Sequence, residues 1–83
     1  MKFDHVGLSV ANLAAQAAWY GKAFDLRETG HFEVPPLQLR GLFMTNDDSI
    51  TIELLERQGS QPGLQAATQA EALLTRGYGH ICV

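Results

Sequence analysis

The sequence has 83 residues, of which 46% are hydrophobic and 18% charged, and its formal net charge is −3. This length and composition indicate one small globular domain with a thin core and exclude a disordered tail. Six basic residues against nine acidic ones argue against a nucleic-acid-binding protein, because neutralising phosphates requires clustered lysine and arginine.

The cysteine content and the apolar runs bear on location. The one cysteine, Cys82, excludes an intrachain disulfide and favours a reducing compartment. The first residues lack the apolar region of a signal peptide, and no apolar run approaches the ~20 residues that span a bilayer. The sequence therefore predicts a soluble, cytoplasmic protein with no membrane partner.

Alternation of side chains predicts a strand over residues 2–10. Val6, Leu8 and Val10 share one face of this strand, and we expect them to pack against a helix. The opposite face carries His5 beside small residues that leave room for its imidazole.

A helix is predicted after Asn12, a residue type that is favoured at helix N-caps. The stretch LAAQAAWYGKAF is rich in helix-forming residues. Apolar residues spaced by three and four positions form one face of this helix, namely Leu13, Ala17, Tyr20 and Phe24.

Three strands are predicted next. The first covers about 26–34 and ends at the proline pair that follows. The second covers 37–45, and the third covers 50–56. Residues 46–49 have the composition of a tight turn, so the second and third strands are expected to form a hairpin.

The rest of the sequence is more polar. Residues 57–65 predict a loop with two glycines and a proline, and 66–75 predict a short helix. The closing YGHICV predicts the beginning of another strand. It shares an aromatic-x-His-apolar pattern with the opening FDHVGLSV, which suggests that it begins a second copy of the first unit.

Three side chains are candidates for chemistry: His5, Glu53 and His80. Each lies in an apolar strand, on the face opposite most of that strand's branched aliphatic residues. A buried, unpaired carboxylate would cost several kcal/mol. Two imidazoles and a carboxylate form a reasonable ligand set for Zn, Ni, Fe(II), Mn or Co. A simpler interpretation stays open, in which the histidines are ordinary strand residues and the glutamate faces water.

Four other residues are weaker candidates. We expect His31 and Glu56 to be solvated. Arg40 is expected to be a surface cation, with an anionic group of the substrate as its alternative partner. Cys82 has the parity of the nearby histidine and is expected to be a small buried hydrophobe rather than a soft metal ligand.

Several motifs together resemble the vicinal-oxygen-chelate family, which includes glyoxalases, bleomycin-resistance proteins and extradiol dioxygenases. The family's first strand, H-x-x-L-x-V, is matched by His5, Leu8 and Val10. ITIELLE resembles the fourth strand of the family, which offers a carboxylate or amide ligand, here Glu53. GYGHICV resembles the strand that opens the family's second module, whose ligand is here His80.

This resemblance implies an α+β fold with a mixed sheet and one main helix. A single βαβββ module would occupy residues 1–56, a connector 57–77, and the first strand of a second module 78–83. In the family, two such modules form a cup-shaped sheet around a metal. The later strands of the second module and its fourth ligand are absent from the sequence, so we expect a homodimer or a longer protein to complete the cup.

The resemblance also implies a function. His5, Glu53 and His80 would bind a divalent metal, and Glu53 would also move a proton. This ligand order favours the glyoxalase I and methylmalonyl-CoA epimerase branches. We therefore expect a lyase, isomerase or epimerase that acts through an enediolate on a small substrate with vicinal oxygens. Two alternatives stay open: a non-catalytic binding protein like those of bleomycin resistance, and an extradiol-type dioxygenase.

Overall fold

The computed structural model describes residues 2–48, 50–63, 66–74 and 76. Its elements are, in chain order, β1 (Val6–Ser9), α1 (Leu13–Phe24), β2 (Arg27–Val34), a 3-10 turn (Pro35–Leu37), β3 (Leu39–Thr45), β4 (Thr51–Arg57) and α2 (Gln69–Ala72). The predicted α+β module, with one main helix and a mixed sheet, is confirmed. The predicted strand over 78–83 lies outside the described residues, and the division into module and connector stays a prediction.

The strands form one sheet in the order β1-β4-β3-β2. β1 runs parallel to β4, and the other two neighbouring pairs are antiparallel. The predicted hairpin of β3 and β4 is therefore confirmed. Its turn is fixed by Asn46, whose side chain accepts hydrogen bonds from the amides of Asp48 and Ile50 and donates one to the carbonyl of Phe24. The turn is thus tied to the end of α1.

The core lies between α1 and one face of the sheet. Its buried members are Leu26, Leu42, Met44, Ile52 and Leu54. The predicted inward faces of β1 and α1 pack against them, including Val6, Leu8, Val10, Leu13, Ala17 and Tyr20. Phe24, the last residue of the predicted helix face, is instead 43% exposed. The helix ends there, because Asp25 takes the left-handed conformation at the C-cap.

Glu56 corrects the expectation of a solvated side chain. Its Oε2 accepts a hydrogen bond of 2.7 Å from the amide of Leu13, in the first turn of α1, and its Oε1 accepts one of 2.6 Å from Arg40. A carboxylate is favoured at a helix N-terminus, where amides lack partners within the helix. The hydrogen bond from Arg40 and then the one from Leu13 hold the pKa of Glu56 below its ordinary value.

We expect the Glu56→Gln variant to be less stable than the wild type at neutral pH. Because the pKa is lowered on folding, the charged carboxylate stabilises the fold at pH values above the ordinary pKa of a glutamate, which it has in the unfolded chain. That contribution is lost as the pH falls through the lower, folded pKa. Urea denaturation should therefore show a difference in unfolding free energy between Glu56→Gln and the wild type that is smaller at acidic pH than at neutral pH. An equal difference at both pH values, or none, would contradict this role, and Glu28→Gln on β2 serves as control.

α2 is shorter than the predicted helix over 66–75. It has four residues, and Thr68 caps it by accepting a hydrogen bond from the amide of Glu71. Leu73 and Leu74, expected to be apolar positions of this helix, are 71% and 84% exposed. Within the described ranges these two leucines do not pack against the core, so no tertiary contact stabilises a helix longer than α2. Neither helix in this part of the chain has the length and hydrophobicity to cross a membrane.

Candidate metal centre

The candidate site lies on the sheet face opposite α1. Glu53 of β4 is paired in register with Gly7 of β1, and it faces away from the core because its neighbours Ile52 and Leu54 face inward. His5 precedes Gly7 by two residues, immediately before β1 begins at Val6. The parallel pairing of β1 with β4 therefore brings the imidazole and the carboxylate to the same place.

His5 and Glu53 contact each other through one nitrogen and one oxygen. The distance from His5 Nε2 to Glu53 Oε1 is 3.4 Å. The two side chains are 32% and 21% exposed, so both are partly shielded from water and still reachable. The structure thus brings together two of the three predicted metal ligands.

The spacing of these atoms fits a shared metal ion. Bonds of about 2.1 Å to adjacent ligand positions, at angles of roughly 90–109°, separate the two donor atoms by roughly 3.0–3.4 Å. His5 Nε2 and Glu53 Oε1 have such a separation. A neutral imidazole and a carboxylate are also ligands of zinc, nickel, iron(II), manganese and cobalt.

Asp4 holds the other side of the imidazole. Its Oδ2 lies 2.6 Å from His5 Nδ1. This hydrogen bond is the main reason why the pKa of His5 is raised above its ordinary value. Partial desolvation lowers the pKa, and the negative charge of Glu53 adds to the rise. The sequence analysis missed Asp4 because adjacent residues of a strand point to opposite faces, so Asp4 was not expected to contact His5. In the structure both residues precede β1, so this strand rule does not apply to them.

An aromatic wall stands beside the pair. The ring of Phe43 lies 5.3 Å from the imidazole of His5, centroid to centroid, and perpendicular to it. Phe32 lies 5.9 Å from Phe43 and passes directly over Gly41, where a Cβ would overlap with its ring. These aromatic residues were not among the sequence-predicted site residues, since only the pairing of β3 with its neighbours places them there.

Gly7 leaves the space that the carboxylate occupies. A Cβ at this position would lie 3.3 Å from Glu53 Oε1 and 3.9 Å from Leu55 Cδ1. The first distance is tighter than ordinary van der Waals contact, so a side chain at position 7 would displace the carboxylate of Glu53. Gly7 is therefore part of the site's geometry, as the small residues beside His5 suggested.

We expect Gly7→Val to weaken the binding of Zn²⁺ by roughly tenfold or more, because small displacements of a binding group have large effects. The fold should tolerate the change, because β-branched residues are favoured in strands. Gly30→Val on β2 is the matched control, since a Cβ there meets nothing within 4 Å. Isothermal titration calorimetry with Zn²⁺ measures the affinity. Equal affinities for the Gly7 variant and the wild type would contradict this account of the site.

The other sequence-predicted residues lie elsewhere. His31 is on β2 with its side chain 80% exposed, as expected. Arg40 has a partner in Glu56, and both line a cleft of about 620 Å³ that neither His5 nor Glu53 lines. The candidate site is thus an open sheet face, separate from this cleft.

Two predicted residues, His80 and Cys82, lie outside the described residues, and their roles stay predictions. In the described ranges, no group of three or more His, Cys, Asp and Glu side chains is arranged to hold a metal ion. The described part of the site therefore contains two candidate ligands, one imidazole and one carboxylate.

The order of elements, the mixed sheet and the position of the paired side chains define a class of protein: a βαβββ module with its candidate site on the face away from the helix. The family model of the Glyoxalase/Bleomycin resistance protein/Dioxygenase superfamily matches residues 4–83. The chain belongs to this superfamily. No curated protein matches the chain significantly.

Solved structures share the fold. A glyoxylase/bleomycin resistance protein/dioxygenase domain from Frankia sp. is 21% identical with a TM-score of 0.67, and the match covers 80% of this chain and 47% of that one. A hypothetical protein from Bacillus halodurans is 27% identical with a TM-score of 0.58, and the match covers 68% of this chain and 40% of that one. A Streptomyces coelicolor methylmalonyl-CoA epimerase in complex with 2-nitronate-propionyl-CoA is 16% identical with a TM-score of 0.55. That match covers 86% of this chain and 50% of the epimerase chain. The chain thus spans about half the length of these proteins or less.

Proposed function

We propose that this chain contributes the first half of the site of a divalent-metal-dependent lyase, isomerase or epimerase. Its substrate would be a small molecule with vicinal oxygens that reacts through an enediolate. The observation that carries the proposal is the convergence of His5 Nε2 and Glu53 Oε1 where β1 pairs with β4, at a distance that suits a shared metal ion and with both side chains partly shielded from water. Membership of the superfamily supports it, and the fold is also that of an epimerase.

His5 and Glu53 would hold the metal, with His80 as a further ligand. When bound, a divalent metal supplies a Lewis acid that polarises substrate oxygens. Nε2 of His5 is the nitrogen directed at Glu53, and Nδ1 is already engaged by Asp4. The imidazole can therefore bind a metal through Nε2 while its Nδ1 keeps the hydrogen bond to Asp4.

Glu53 would also move the proton. A carboxylate has two oxygens, so one can bind the metal while the other accepts a proton from the carbon beside the substrate's carbonyl group. Its side chain is 21% exposed. The ring of Phe43, which is paired in register with Glu53, provides an apolar surface beside the site.

A second module would close the site. In our proposal it comes either from the rest of a longer protein or from a second copy of this chain in a homodimer. The fraction of the solved structures that the chain covers, between 40% and 50%, supports the need for such a partner. Sedimentation equilibrium of the chain distinguishes the two sources, since the second predicts a dimer.

Solvent exchange tests the proposed reaction. The chain, loaded with Zn²⁺, Ni²⁺ or Co²⁺ in D₂O, is incubated with the hemithioacetal of a 2-oxoaldehyde and, separately, with a 2-substituted malonyl thioester. We expect deuterium to enter at the carbon next to the carbonyl group, and EDTA or His5→Ala to stop this exchange. His31→Ala is the matched control and should exchange normally. A metal-loaded dimer that catalyses no exchange with either compound would contradict the proposal.

A non-catalytic binding protein is the second candidate. It is favoured by the aromatic wall of Phe32 and Phe43 beside the pair. This function predicts that a planar aromatic compound raises the melting temperature in the presence of EDTA. It also predicts the same rise for His5→Ala. A rise that EDTA abolishes would argue for the metal-dependent function instead.

A further inference from the structure

The hydrogen bond between Asp4 and His5 determines which imidazole nitrogen is available. The carboxylate of Asp4 lies 2.6 Å from His5 Nδ1. Both imidazole nitrogens face a carboxylate, but the contact of Nδ1 with Asp4, at 2.6 Å, is much shorter than the 3.4 Å between Nε2 and Glu53 Oε1. An ionised carboxylate only accepts hydrogen bonds, so the shorter contact places the proton of a neutral imidazole on Nδ1. Nε2 is then the unprotonated nitrogen, and it is the atom directed at Glu53.

We propose that Asp4 is a positioning residue, which fixes the tautomer and the ring orientation of His5 so that Nε2 is ready to bind a metal. This inference rests on the proposed metal site of His5 and Glu53. Histidine ligands of metals usually donate their second N–H to a carboxylate, carbonyl or water, and this contact orients the ring and makes it a better ligand. Asp4 stands in that relation to His5.

Two observations support a positioning role for Asp4 rather than a role as a metal ligand. Asp4 is bound to the imidazole nitrogen that faces away from Glu53, so it is not placed to share a metal with Nε2. The ring of Phe43 packs perpendicular to the imidazole from the sheet. The imidazole is therefore held on one side by a charge-assisted hydrogen bond and on another by an aromatic ring, which together restrict its rotation.

The same contact contributes little to the fold. The side chain of Asp4 is 88% exposed, and exposed ion pairs have small effects on stability. Removing the carboxylate should therefore leave the structure intact while freeing the imidazole to rotate and to populate both tautomers. A change in metal affinity without a change in stability separates positioning from a structural role.

The experiment compares Asp4→Ala and Asp4→Asn with the wild type, and Asp48→Ala is the control that removes an exposed carboxylate elsewhere. Competition with a chromophoric chelator gives the affinity for Zn²⁺, and long-range ¹H–¹⁵N spectra of the metal-free chain at about pH 9, where histidine is neutral, give the tautomer of His5. We expect Asp4→Ala to lower the affinity by about 10–100-fold and to mix the tautomers. Asp4→Asn keeps an acceptor oxygen and should restore the Nδ1–H tautomer and part of the affinity.

The outcomes separate this inference from the proposed function. Unchanged affinity in Asp4→Ala, with affinity lost in His5→Ala, would overturn the role of Asp4 and leave the metal site standing. If the wild type binds no Zn²⁺, the proposed function fails, and the tautomer alone then decides on Asp4. An Nδ1–H tautomer that depends on Asp4 supports the positioning role, whereas identical spectra for the wild type and Asp4→Ala overturn it.

Discussion

Replacing His5 with alanine should lower the affinity of the chain for Zn²⁺ by roughly 100–1,000-fold. Zinc sites of four ligands have apparent binding free energies of about 10–16 kcal/mol, so one ligand accounts for about 2.5–4 kcal/mol. In the proposed site, the imidazole of His5, whose Nε2 lies 3.4 Å from Glu53 Oε1, is one of those ligands. Calorimetric titration with Zn²⁺ measures the loss.

The control for this variant is His31→Ala. The side chain of His31 is 80% exposed on β2, and its ring contacts Glu28 at 3.4 Å, so it is a second histidine beside a carboxylate at the same distance. We expect its removal to leave the zinc affinity unchanged. A similar loss in both variants would indicate weak surface binding and contradict the candidate centre.

Replacing Leu54 with alanine should have the largest effect on stability. Leu54 lies on β4, is fully buried, and is paired in register with Leu8 of β1 and Leu42 of β3. Removing a buried leucine side chain costs about 2–5 kcal/mol through lost burial and the cavity that remains. Since small domains have unfolding free energies near the low end of about 5–15 kcal/mol, the variant should lose a large fraction of its stability and unfold at a much lower urea concentration than the wild type.

Leu74→Ala is the matched control, because it makes the same chemical change at a side chain that is 84% exposed. Urea denaturation followed by circular dichroism gives both free energies of unfolding. The control should stay close to the wild type. If Leu54→Ala also unfolds like the wild type, the core between α1 and the sheet is placed wrongly.

The faces of the sheet were predictable because they depend on a local pattern. Alternation along β4 placed Ile52 and Leu54 on the opposite face from Glu53, and the structure buries both of these aliphatic side chains. Asn12 was likewise predicted as the N-cap of α1, and its side chain accepts a hydrogen bond from the amide of Ala15. Each of these predictions uses only neighbours within a few residues.

The remaining features depend on contacts between distant parts of the chain. Glu56 was expected in solvent because it is near the end of a strand, but Leu13, 43 residues away, supplies an amide to it. Phe43 reaches the site only through the register of β3 with β4. The length of the 66–75 helix also depended on packing, which Leu73 and Leu74 do not provide in the described structure. Local patterns carry no information about such partners.

The central claim is that His5 and Glu53 hold one divalent metal ion. It is tested most directly by ¹⁵N NMR of the imidazole nitrogens during titration with Zn²⁺, with the three histidines assigned through their alanine variants. We predict that the Nε2 signal of His5 moves to the position of a metal-bound nitrogen while its Nδ1 keeps a proton, and that Glu53→Ala prevents this change. A titration that shifts the signals of His31 and leaves those of His5 in place would contradict the claim.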